Sequence, residues 1–202
     1  MKSFILWLLT PIQKFLQRAG RQEARMTYQQ VSDVLLLIKQ GDIVLSFEYG
    51  RPTSILIKGF FDHAAIVTSK LTIMEAVGDR WVDNKNIGGV REVDTAEWLY
   101  KKDYVALIRP SYKDGDLTHR LAAAAALYYQ GKGYDYKFER GDESVYCSEL
   151  EYLCYSMYDP RFLEDVDGEI LPQLYFDLTN DVPRSDGMTF DLVYDSRNQP
   201  YK

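Results

Sequence analysis

At 202 residues, with 46% hydrophobic and 27% charged side chains, the chain has the size and composition of one globular domain and is not a largely disordered protein. Its net charge of −6 leaves no general attraction for nucleic acid, whose binding depends on neutralising phosphates. Two cysteines and two histidines, without the ligand spacing of a Cys/His zinc site, give no reason to expect a metal centre, and no cofactor is expected.

The chain opens with MKSFILWLLTPIQKFLQRAGRQEAR, whose first apolar run is far short of the ~20 residues that span a bilayer. As a secretory signal it has one lysine, a short apolar core, and an arginine where a small residue should precede cleavage, so retention is expected over cleavage. Thr10 and Pro11 read as an N-cap and first helical position. Ile12, Phe15, Leu16 and Ala19 then share one helical face, and Lys14, Arg18, Arg21 and Arg25 another. That cationic stripe fits peripheral contact with an anionic membrane through residues 1–25, and fits equally a helix packed on its own domain with a solvated basic face. The expected location is cytoplasmic or peripheral to a membrane rather than secreted, with residues 26–202 forming the domain.

Within that domain Val31, Val34, Leu35 and Ile38 give a helical stripe that Gly41 can end, and GDIVLSF turns into a strand. A loop or short helix lies between Gly50 and Gly59, after which HAAIVTSKLTIMEAV reads as two strands about a tight turn. GGVREVD is a further strand, TAEWLYKKD a short helix, and YVALIRP a strand rich in β-branched and aliphatic residues. DLTHRLAAAAALYYQGKG is an alanine-rich helix capped at Asp116 or Thr118. A helix beginning near Ser144 carries Tyr146, Leu150, Leu153 and Met157 at helical spacing, and MTFDLVYDS forms a last strand. The intervening LEDVDGEI reads as an acidic turn, because Leu163 and Leu174 occupy the first and last ligand positions a calcium loop would need. Strands mostly first and helices mostly after give an α+β architecture.

The two cysteines sit on one helix seven residues apart, about 10 Å along its axis, which excludes a disulfide between them. Cys147 falls in the first turn, where unpaired N–H groups and the positive end of the dipole favour a thiolate and can hold an oxyanion. A small packed residue is the commoner role for a cysteine, and it is the role expected of Cys154. Of the two candidate bases, His119 is expected as an exposed polar residue of the alanine-rich helix. His63 opens HAAIVTS, and a three-residue loop at Thr68, Ser69 and Lys70 would set it directly opposite Glu75, with Cβ atoms about 5 Å apart. A carboxylate there holds an imidazole in one tautomer and stabilises its charged form, although a purely structural His–Glu pair has the same spacing.

In this order GDIVL, DHAAIV, a glutamate on the next strand, VALIRP, YDYKF and YCSEL resemble the circularly permuted branch of the papain-like NlpC/P60 superfamily, the YiiX-like proteins, from about Gly41 to about Asp195. In that branch the histidine strand precedes the cysteine helix, the reverse of papain, and this chain has that order. The resemblance implies a permuted papain-like α+β fold, with an antiparallel sheet or barrel packed against helices that include the cysteine helix. It implies Cys147 as nucleophile, His63 as base and Glu75 as its orienting partner. The Cys147 N–H would contribute to an oxyanion hole, and Tyr136 or Tyr146 are candidates for a second donor on closeness in sequence. The activity implied is that of a thiol hydrolase or acyltransferase acting on an amide or ester of a lipid-linked or acylated substrate. Peptidoglycan peptides are the alternative substrate, and a lipid- or peptide-binding protein that has lost turnover is the alternative class.

Overall fold

The first helix among the described residues, α1 (Tyr28–Leu37), starts where Thr27 and Gln30 close a capping box: Thr27 Oγ1 accepts the Gln30 N–H, and Gln30 Oε1 accepts the Thr27 N–H at 2.9 Å. This computed structural model describes residues 25–49, 57–79, 81–82, 85–113, 115–164, 166–181, 183 and 187–198. The amphipathic stretch of residues 1–24 and most of the expected loop after Gly50 lie outside them. The helix ends at Ile38, whose backbone turns extended, three residues ahead of the expected Gly41. Gly41 has another task. Its φ is +86°, and a Cβ there would stand 2.7 Å from the His119 carbonyl oxygen, so glycine lets this turn pass against the start of a later helix.

Six strands form one antiparallel sheet: β1 (Ile43–Phe47), β2 (His63–Val67), β3 (Thr72–Val77), β6 (Gly89–Asp94), β7 (Tyr104–Ser111) and β8 (Thr189–Asp195), in the order β6-β3-β2-β1-β7-β8. A separate hairpin pairs β4 (Trp81–Val82) with β5 (Lys85–Asn86). The remaining helices are α2 (Thr95–Leu99), α3 (Leu117–Tyr129), α4 (Cys147–Ser156) and α5 (Pro172–Asp177). Among the described residues no helix is long and apolar enough to cross a membrane.

Side-chain alternation along the central strands builds two cores. Val44, Ala65, Val67, Ile73, Val105 and Leu107 pack with α1 and α2 through Val31, Val34, Trp98 and Leu99. Ile43, Leu45, Ala64, Ile66, Met74 and Ala106 pack on the other face with α3, α4 and α5. Strands buried on both faces explain why HAAIV and VALI are continuous apolar runs rather than alternating ones.

The β2–β3 register departs from expectation. Thr68 N donates to the Thr72 carbonyl at 3.1 Å and the two hydroxyls bond at 2.8 Å, so the loop is Ser69, Lys70 and Leu71. Ser69 Oγ holds this turn by accepting the Leu71 and Thr72 N–H groups. Glu75 therefore lies opposite Ala65, two residues from the expected His63. A shift of two keeps every side chain on its face, whereas a shift of one would have sent Glu75 to the other core.

Candidate active site

Helix α4 begins at Cys147, later than the start near Ser144 suggested by its polar residues. Val145 and Asp135 instead tie the preceding segment into a ladder, with Val145 N bonded to Gly133 O at 2.9 Å and Asp135 N to Val145 O at 3.3 Å. Tyr146 becomes the N-cap in extended conformation, and Glu149 accepts its N–H. Cys147 is thus the first helical residue, and its own N–H is one of those for which an α-helix has no internal acceptor. Glu149 also accepts the Gly141 N–H at 2.9 Å, and burial pushes its carboxyl up to about 7.

The direction of α4 follows from its far end. Tyr155 donates its hydroxyl to the Gly41 carbonyl at 2.6 Å, and Gly41 N bonds the Val67 carbonyl, so the C-terminal part of α4 lies at the Val67 end of β2. Eight residues of helix rise ~12 Å and four residues of strand ~13 Å. With its interior packed along Ala64 and Ile66, the helix runs parallel to β2 and brings Cys147 to the His63 end. Both side chains are almost fully enclosed, Cys147 at 2% and His63 at 3% exposure. His63 is in register with Ala65 and Val67, which face α1 and α2, while Leu150 and Cys154 of the cysteine helix pack on the opposite face.

His63 and Glu75 meet despite the shifted register, because diagonal neighbours on one face remain within reach of long side chains. Their Nε2–Oε2 distance is 2.8 Å. Glu75 is one of the most heavily hydrogen-bonded groups in the structure. Oε2 also accepts Trp98 Nε1–H at 2.7 Å, and Oε1 accepts Arg91 Nε and Nη2 at 3.1 and 2.8 Å. Burial alone would raise its pKa, yet the hydrogen bond and charge of His63, the Lys102 cation and the Trp98 indole hold it well below the usual carboxylate range. An ionised carboxylate only accepts, so Nε2 carries a proton and the other ring nitrogen, Nδ1, is the one that can exchange one. Lys102 stands 4.3 Å over the Trp98 ring and bonds Glu48 at 2.7 Å.

Trp98, Arg91 and Lys102 were not singled out from the sequence. Arg91 had a signal, since it lies directly across from Glu75 in the β3–β6 ladder. Trp98 had none, because a five-residue helix shows too little periodicity to say which side chain points under the sheet.

The two tyrosines differ. Tyr146 is fully buried, and its hydroxyl accepts the Ile170 N–H at 2.9 Å while its ring lies 5.1 Å from that of Phe138, so its hydroxyl is engaged in holding the loop ahead of α5. Tyr136 is half-buried and accepts the Asp79 N–H. Continued by two residues, the β2–β3 register sets Val77 level with His63, which puts Gly78, Asp79 and with them Tyr136 at the His63 end of the sheet. Cys154 is a free, fully buried thiol whose pKa burial raises well above normal, as its packing role predicts. His119 is a correction: it is 5% exposed, not a surface residue, since Tyr112 and Tyr155 both stand edge-on to its ring. Among the described residues no group of three or more His, Cys, Asp or Glu side chains could hold a metal ion.

A six-stranded antiparallel sheet with a buried histidine on a central strand, followed in sequence by a helix that opens on a cysteine, is the permuted papain-like arrangement. The chain belongs to the family of permuted papain-like amidases called C92, with YaeF and YiiX, whose family model matches residues 37–167. Membership supports an enzyme of the cysteine amidase or peptidase class. Among solved structures the chain is similar to one described as the metalloprotein YiiX from Escherichia coli O157:H7, at 16% identity and a TM-score of 0.45, covering 78% of this chain and 89% of that one. No curated protein matches the chain.

Proposed function

We propose that the chain is a thiol hydrolase or acyltransferase in which Cys147, His63 and Glu75 act together on an amide or ester of a lipid-linked or acylated substrate. The observation that carries this reading is the buried 2.8 Å contact of His63 with an ionised Glu75, at the end of β2 to which Cys147 is brought by its helix. Glu75 occupies Nε2, so proton exchange with the thiol runs through Nδ1, reached around the first residue of the strand. His63 takes the thiol proton. The thiolate adds to the carbonyl carbon, and the oxyanion is held by the Cys147 N–H. Tyr136, at the His63 end of the sheet with its hydroxyl against Asp79, is the better placed of the two tyrosines as second donor. His63 then returns the proton to the leaving amine or alcohol as the C–N or C–O bond breaks, leaving a thioester. Water or an acceptor alcohol or amine, deprotonated by His63, resolves it and frees the thiol.

The experiment is the pH dependence of Cys147 alkylation in Glu75→Gln, His63→Ala and the double variant. Glu75→Gln lowers the thiolate fraction near neutral pH, His63→Ala lowers it further, and the double variant resembles His63→Ala because the groups act as a unit. Wild-type profiles in all three, with the thiol still accessible, would make the His–Glu pair purely structural. Intact-mass detection of a covalent adduct after incubation with acyl-amide, phospholipid and muropeptide probes then reads the substrate class. An adduct with the muropeptide alone would overturn the lipid-linked assignment.

A further inference from the structure

At the other end of β2, beyond Val67, a pocket of about 390 Å³ opens between the chain after α1, the β2–β3 turn and the start of α3. Its wall carries Lys39, Lys70, Arg109, Arg120, Asp116 and His119. This is a concentration of positive charge on a chain whose net charge is −6. Arg109 is already neutralised: its guanidinium makes a two-point bond to the buried Asp42 carboxylate, Nε to Oδ1 at 2.7 Å and Nη2 to Oδ2 at 2.8 Å. Lys39, Lys70 and Arg120 are different. None of the three forms an ion pair or a side-chain hydrogen bond with a described residue. Asp116 opposes them with a single negative charge.

Two more features point the same way. The N-cap of α3, Asp116, makes no side-chain bond to the first turn, so its carboxylate does not occupy the positive end of this 13-residue helix, where an anion is favoured. His119, nine-tenths buried in the same wall, donates Nδ1–H to Tyr155 Oη at 3.3 Å, since that hydroxyl gives its own proton to the Gly41 carbonyl; burial favours the neutral ring, so Nε2 is an acceptor for the P–OH of a monoprotonated phosphate. Unpaired cations from three separate segments, a helix start and an imidazole nitrogen around one cavity exceed what a lone carboxylate would engage. They suit a tetrahedral oxyanion with several acceptor oxygens.

We propose that this pocket binds a phosphate group, free or as a phosphomonoester, at a site separate from Cys147. Tyr155 marks the separation, since it borders His119 from α4 two turns beyond the cysteine. The bound group takes Lys39, Lys70 and Arg120 as its cations, beside the positive end of α3.

The test uses the ¹⁵N-labelled full chain, titrated at constant ionic strength with inorganic phosphate and with glycerol 3-phosphate, and mixed in parallel with vesicles of phosphatidylcholine alone or containing phosphatidic acid. The expected result is a saturable shift of the amides at Ser69, Lys70 and Thr118 to Arg120. In the Lys70→Gln/Arg120→Gln variant, whose exposed side chains leave the melting temperature unchanged, binding weakens by about tenfold or more. Soluble phosphates that bind identify a free phosphate or phosphomonoester, whereas binding only to phosphatidic acid vesicles, lost in the same variant, identifies a lipid headgroup. No shift at these amides with any probe, or equal affinity in wild type and variant, overturns the proposal.

Discussion

Glu151 stands one helical turn after Cys147, is 0% exposed, and neither carboxyl oxygen has a hydrogen-bond partner on another described residue. Burial pushes its pKa well above the normal carboxylate value. The perturbation that tests this is Glu151→Leu, which exchanges one good helix former for another of similar bulk and removes both orphaned oxygens. An unsatisfied buried polar group costs about 1–3 kcal/mol, so the variant gains that much. For a chain of this size each kcal/mol raises Tm by about 2–4 °C. The effect has a definite pH signature. A carboxyl whose folded pKa is raised contributes fully below its unfolded pKa of about 4.3, and that contribution is lost as pH rises towards the folded value. The gap between Glu151→Leu and wild type therefore widens from pH 5 to pH 8, by at most about 1.4 kcal/mol per pH unit. Urea unfolding at a series of pH values, followed by far-ultraviolet circular dichroism, measures it. A destabilised variant, or a gap that does not change with pH, would refute the reasoning by showing that the carboxyl has a partner or ionises freely.

Iodoacetamide labels Cys147 before Cys154 in the native protein, because Cys154 is wholly enclosed and its thiol is pushed towards the neutral form; mass spectrometry of tryptic peptides reads the order, and equal rates count against the nucleophile. Tyr155→Phe strands the Gly41 carbonyl and lowers stability by about 1–3 kcal/mol, a loss that thermal melting detects. An unchanged melt would mean that water replaces the hydroxyl. Glu75→Gln weakens a buried cluster of four donors and destabilises the fold at neutral pH, and because the folded pKa of Glu75 is depressed its contribution is lost as pH falls through that value, so the two proteins converge in acid melts. Deleting residues 1–25 leaves a folded domain with weaker binding to anionic vesicles. Unchanged flotation would remove the membrane role of that segment, and an unfolded product would assign it to packing.

Short-range information in the sequence determined most element types, since apolar periods, caps and turn residues act over a few positions, but it marked neither the short β4–β5 hairpin nor α5. It also determined that His63 and Glu75 share a face, because alternation survives any even change of register. The cysteine pair was legible for the same reason: seven residues along a helix excludes a bond whatever surrounds it. The register is local too, set where Ser69 Oγ accepts the Leu71 and Thr72 amides while the Thr72 hydroxyl bonds those of Thr68 and Ser69; what no local pattern carries was left to tertiary structure. It alone supplied Trp98 and Arg91 to Glu75, buried His119 between two tyrosines, and left Glu151 without a partner on another described residue. Each of these depends on which distant segment packs against a given side chain, and that is set by the summed burial of two cores rather than by any local pattern.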